Sequence, residues 1–198
     1  MDKLSFINGV DLTEKQLDEV GALLLETGYY EFTGKDNKLN LPVKEFFKRQ
    51  IIEPYKQYVY ALVNAASQVI GFFLAGTKTE IFSVYDTTAN WRRDDPKLLA
   101  ELKKVGEFFN NETVDTDFLG CNMAIAKVYR GQGYYKILHH KLIELAKSQH
   151  CQRIVFAVLN SYAAIEVYKH YSATIFGEID SPDYFKDKML KCYFMLSE

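Results

Sequence analysis

The sequence predicts one domain of the α/β (α+β) class, built on a mixed, mostly antiparallel central sheet of about seven strands. Three observations carry that reading. An apolar run, Met123-Ala124-Ile125-Ala126, passes through a glycine-containing turn into a segment where Leu138, Leu142, Leu145 and Ala146 recur at helical spacing. A second apolar run, Arg153 to Leu159, follows that helix, and two strands joined by one such helix lie parallel with a right-handed crossover. Strand pairs before and after this unit are joined by short turns, so they pair antiparallel.

Taken in order, Leu4 to Ile7 reads as the first strand. Thr13 caps a helix whose Leu17, Val20, Leu24 and Leu25 share one face, and Gly28 stops it. Tyr29 to Gly34 is an aromatic loop. Pro42 opens a second helix carrying Val43, Phe46, Phe47 and Ile51, ended by Pro54. Tyr58 to Asn64 and Val69 to Gly76 are two strands joined by Ala65-Ala66-Ser67-Gln68. Thr79 to Asp117 is an excursion; within it Asp95-Pro96 starts a helix with Leu98, Leu102, Val105 and Phe109 at helical spacing, closed by Asn110-Asn111. Beyond the central unit, Ser161 to Tyr171 is a short helix. Thr174 to Ile179 and Lys191 to Leu196 are the last strands, with Pro182-Asp183 in their turn. No repeat or linker divides the 198 residues, so residues 1–198 form a single domain.

Bulk properties exclude several classes. A net charge of −2 gives no global attraction to nucleic acid or anionic membrane. No apolar run reaches transmembrane length, and Met1-Asp2-Lys3-Leu4-Ser5 lacks the apolar core of a secretory signal. Cys121, Cys151 and Cys192 are odd in number and widely spaced, which predicts a reducing, cytoplasmic setting without disulfides. His139-His140 and His150-Cys151 lack the paired spacing of a zinc site, so no metal is expected. Cys121 reads as an apolar filler on a buried strand.

The chemistry concentrates in Arg130-Gly131-Gln132-Gly133-Tyr134-Tyr135-Lys136. The first amides of a helix have no internal partner and sit at the positive end of its dipole. A glycine turn entering such a helix is a phosphate cradle, because residues without a Cβ let anion oxygens approach the backbone. A dinucleotide fingerprint would need a third glycine where Lys136 stands, and a P-loop would need Gly-Lys-Ser/Thr.

What fits is a Gln/Arg-x-x-Gly-x-Gly/Ala pattern opening a helix after a strand, and in this the chain resembles the GNAT superfamily of acyl-CoA-dependent N-acyltransferases. Arg130 and Gly133 match its first two fixed positions; Tyr135 stands where the family has a small residue. The Tyr135 ring either enters the turn, where it would exclude a diphosphate, or lies back along the helix. The order of elements also matches, apart from the longer excursion at about 79–117.

The resemblance implies a parallel, splayed strand pair in mid-sheet, helices on both faces, and acetyl-CoA as acyl donor with no metal. It implies that Met123, Ala124 and Ile125 pair with the pantetheine amides. Arg130, Gly131, Gln132, Gly133, Tyr134, Tyr135 and Lys136 would hold the diphosphate. Asn160 or Ser161 would bind the pantetheine arm, since counting back from Tyr168 places Ser161, with Ala164, in the family's register. The Ile125 N–H would serve as oxyanion donor and Tyr168 as acid to the leaving thiolate. The family's Gly-Phe after this tyrosine is replaced by Ser172-Ala173, and Phe156 stands where some members carry a basic Glu. Glu80, Asp117 and Glu31 are the loop acids left as general bases, with a water chain as the alternative.

The implied activity is acetyl transfer from acetyl-CoA to a primary amine by direct attack on the thioester, on a small-molecule or protein-lysine acceptor. The alternatives are a catalytically silent acyl-CoA-binding module and an interaction protein using the 79–117 excursion.

Overall fold

The computed structural model describes residues 4–24, 52–88, 96–159, 163–180 and 188–196. The expected helix after Pro42, the aromatic loop, the Gly28 stop, Glu31, Asn160, Ser161 and the Pro182-Asp183 turn lie outside these residues. Two compact units emerge, Met1–Ala75 with Asn122–Leu142, and Gly76–Cys121 with Ile143–Glu198.

In the first unit, β1 (Ser5–Asn8) pairs antiparallel with β2 (Val59–Val63), which pairs antiparallel with β3 (Val69–Thr77). The β2–β3 turn is set by Asn64, whose side-chain oxygen accepts from the amides of Ala66 and Gln68, while Ser67 takes φ 61°. Helix α1 (Glu14–Leu24) starts with a reciprocal cap: the Gln16 amide donates to Thr13 Oγ1 at 3.3 Å and the Thr13 amide to Gln16 Oε1 at 3.0 Å. Leu17, Val20 and Leu24 are buried, as their spacing predicts. Glu19 Oε2 accepts from the Val69 amide, tying α1 to β3.

Strand β4 (Asp117–Ile125) runs through both units, as does helix α4 (Tyr134–Ser148). In the second unit β4 pairs parallel with β5 (Arg153–Leu159), β5 antiparallel with β7 (Lys188–Met195), and β7 antiparallel with β6 (Thr174–Asp180). The hydrogen-bonded order is β1-β2-β3-β4-β5-β7-β6, the expected mixed seven-stranded sheet with its parallel pair in the middle. The parallel register stops at Gly120↔Phe156, although β4 continues to Ile125 and β5 to Leu159.

The excursion holds two helices, α2 (Lys78–Thr88) and α3 (Pro96–Asn110). The second was expected; the first was not. Among the described side chains of α3, Phe108 is buried, Val105 of the expected stripe packs against its cluster, and the half-buried Phe109 meets Phe82 of α2; Phe108 itself was not in that stripe. Helix α5 is Ala163–His170. Within this unit helices lie on both faces: Phe108 of α3 meets Lys191 of β7 on one, and Tyr168 of α5 meets Phe156 and Phe194 on the other.

Lys191 is buried, and its ammonium donates to Phe108 O at 2.8 Å and to Asn111 O, the exposed carbonyl end of α3. Its Nζ also lies over the Phe108 ring at 4.7 Å and the Phe176 ring at 5.0 Å. Burial lowers its pKa.

Candidate active site

After β4 the chain makes one tight turn, Lys127–Tyr129, then passes Gly131 (φ 77°) and Gly133 (φ 82°) into α4. Both glycines occupy the left-handed region that other residues enter at a cost, and among the described residues nothing lies within 4 Å of where their Cβ atoms would sit. The Arg130 amide bonds Lys127 O and the Lys136 amide bonds Gly133 O. Between them the N–H groups of Gly131, Gln132, Gly133 and Tyr134 meet no backbone acceptor among the described residues. The open donors are therefore a shorter set than Arg130 to Lys136, since both ends of that span are engaged.

Side chains brace the turn. Arg130 Nε donates to Ile125 O at 2.9 Å and Gln132 Nε2 to Val128 O at 2.9 Å. Tyr129 OH accepts from Asn64 Nδ2 at 3.3 Å, fastening the turn to the β2–β3 hairpin. The Tyr135 ring stacks on His139, one helical turn along, with centroids 5.6 Å apart and planes at 14°. Of the two orientations expected for this ring, it takes the one along the helix. His139 is buried; burial first, and the neighbouring His140 second, lower its pKa below the usual 6.5.

Of the strand residues before the turn, Ala124 is buried, with Met123 and Ile125 half-buried. Close approach of β3 is visible at Gly71, where a Cβ would sit 2.6 Å from Ala124 O. The Ala126 amide donates to Ile70 O at 2.9 Å. Burial pushes the Cys121 thiol up to about 12, so it stays protonated and a poor nucleophile at neutral pH.

In the second unit Tyr168 is 9% exposed, in contact with Phe156 at 5.0 Å and Phe194 at 5.8 Å between centroids. Its carbonyl accepts from the Ala173 amide at 3.0 Å while the Ser172 amide donates to Lys169 O at 2.9 Å. Ser172 sits at φ 61°, in the conformation usually given to glycine after a helix. The serine that stands in place of the glycine of the Gly-Phe pair thus takes a left-handed conformation.

Two of the acids offered as general bases have other employment. Glu80 Oε2 accepts from the Thr77 amide at 2.8 Å and from Thr77 Oγ1 at 2.9 Å, capping α2. It lies on a helix rather than in a loop. Asp117 is fully buried: Oδ1 takes Arg153 Nε at 2.5 Å, and Oδ2 takes Arg153 Nη2 at 2.9 Å and the Val114 amide at 2.8 Å. That bidentate pairing raises the Arg153 pKa. The Thr77–Glu80 spacing is a capping signature readable in the sequence, and it would have revealed α2.

The sequence matches the acetyltransferase (GNAT) family over residues 25–171. The chain belongs to that family. Its fold recurs in solved structures of low identity. SsHAT is 15% identical with TM-score 0.69, over 99% of this chain and 100% of that one. Ard1 from Thermoplasma volcanium is 11% identical with TM-score 0.61, over 98% and 99%. A structure of the NatC complex bound to Gag peptide and CoA is 16% identical with TM-score 0.59, over 98% and 99%. No curated protein matches the sequence significantly. No helix among the described residues is long and apolar enough to cross a membrane.

Proposed function

We propose that this chain transfers an acetyl group from acetyl-CoA to a primary amine by direct attack on the thioester. The observation that carries the reading is the row of four open N–H groups, Gly131 to Tyr134, at the start of α4. Among the described residues no atom lies within 4 Å of where the Cβ of either left-handed glycine would sit, and Tyr135 lies along the helix against His139. The residues present therefore fit a diphosphate. Acetyl-CoA supplies an activated acyl carbonyl and a thiol leaving group.

The chain's own residues then divide the work. Gly131 to Tyr134 hold the diphosphate through their amides, and Met123 to Ile125 offer strand amides and carbonyls to the pantetheine. The Ile125 N–H stabilises the oxyanion. Tyr168 protonates the departing thiolate, whose pKa is roughly 8.5. No residue carries the acyl group. The acceptor amine must be neutral to attack, and a lysine-like amine titrates near ~10.4, so turnover rises with pH across the neutral range.

A catalytically silent acyl-CoA-binding module is the second reading. Phe156, apolar and buried where some family members have Glu, favours it. One experiment separates the two: thiol release from acetyl-CoA, followed with lysine, a peptide with a free α-amine and an aminoglycoside as acceptors. Acceptor-dependent release supports the enzyme. Saturable CoA binding with no release from any acceptor supports the silent module.

A further inference from the structure

Tyr168 is fixed at its backbone and at its ring by different parts of the second unit. Its carbonyl is clamped by the turn at Ser172. Its ring meets Phe156 with planes at 32° and Phe194 at 87°, and Phe156 meets Phe194 at 5.4 Å and 81°. All three rings are under 10% exposed. A tyrosine hydroxyl lies on the axis of its Cβ–Cγ bond, so its place is set by the first torsion, which has a few staggered wells, and by the neighbours that hold the ring in one of them.

Phe156 has an unusual seat. Gly120 is its partner in the last registered pair of β4 and β5. A Cβ at residue 120 would lie 2.2 Å from Phe156 Cε1, 2.6 Å from Cδ1 and 2.9 Å from Cζ. The ring thus covers the bare Cα of the neighbouring strand, in space any other residue would fill. Neither Gly120 nor Phe156 carries a group that could take part in proton transfer.

We propose that Phe156, seated on Gly120, is a positioning residue for the acetyl transfer: by packing against the Tyr168 ring it holds that side chain in one rotamer and so fixes the place of its hydroxyl. This rests on the reading of Tyr168 as the acid to the leaving thiolate. The residue that replaces a basic Glu in this chain then works on the leaving-group side of the reaction instead of the amine side. Misplacement of a reacting group by about 1 Å costs up to ~100-fold, so loosening the ring lowers kcat without loosening the grip on acetyl-CoA.

The test is a double-mutant cycle with Phe156→Leu and Tyr168→Phe, measuring kcat and the KM for acetyl-CoA with an acceptor that the wild-type protein acetylates. Phe156→Leu is expected to lower kcat about tenfold with KM changed less than about twofold. In the Tyr168→Phe background, adding Phe156→Leu is expected to change kcat by less than about twofold. Should Phe156→Leu fail to unfold cooperatively, Gly120→Ala is the second variant: its methyl displaces the Phe156 ring, and the same fall in kcat and the same coupling to Tyr168 are expected.

Equal losses in both backgrounds, or a change confined to KM, overturn the positioning role and leave the enzyme standing. Tyr168→Phe with wild-type kcat removes the acid and this inference together. A wild-type protein that acetylates none of the acceptors defeats the reading on which the inference rests.

Discussion

At the scale of single residues, the decisive positions hold unusual backbone or unusual burial. Gly131 sits at φ 77° with no atom of the described residues near where its Cβ would be, so a substitution there is opposed by its backbone conformation. Gly131→Ala is expected to cost roughly 1–2 kcal/mol of stability, measured by denaturant unfolding, because a left-handed residue with a Cβ is strained. Ser172 at φ 61° presents the converse case. Ser172→Gly is expected to raise stability by roughly 0.5–1 kcal/mol, read from the unfolding midpoint.

His139 gives a pH dependence. Its folded pKa lies below the unfolded 6.5, so the unfolded chain binds the proton first as pH falls. Its contribution is complete above about pH 6.5 and is lost as pH drops towards the depressed value. His139→Phe is expected to flatten the stability–pH curve in that window; an unchanged slope would assign it to other groups.

At the scale of elements, the periodicity of the sequence records the sheet and most of the described helices. The run Met123 to Ala126 and the spacing of Leu138, Leu142 and Ala146 placed β4 and α4, because burial on one face leaves a period in the sequence. Helix α2 escaped notice because its apolar pattern is weak; its start is recorded in the pair Thr77 and Glu80 instead. Glu80→Ala removes the reciprocal cap and is expected to destabilise by about 1 kcal/mol, since the Thr77 amide loses its acceptor.

The candidate site was readable only in part. The glycine turn announces itself by composition. The engagement of the Arg130 and Lys136 amides does not, because it depends on how the turn closes on Lys127 and Gly133. The pairing of Gly120 with Phe156 was equally hidden, since two residues 36 apart reveal their fit only once register is known.

At the scale of the whole molecule, strand β4 and helix α4 each contribute residues to both compact units. The first residue of β4, Asp117, is locked to Arg153 at the start of β5. Asp117→Ala would strand a partly buried guanidinium and an amide; a loss of about 3 kcal/mol is expected, read from denaturant unfolding. A buried lysine with two backbone acceptors, Lys191, performs the matching task for α3.

The central claim is that the amides of Gly131 to Tyr134 hold the diphosphate of acetyl-CoA. Calorimetric titration of acetyl-CoA into the wild-type protein and into a folded Gly133→Val variant tests it most directly. Saturable wild-type binding that weakens at least about tenfold in the variant is the predicted result. Equal affinity in both proteins, or no binding to wild type at millimolar ligand, would contradict it.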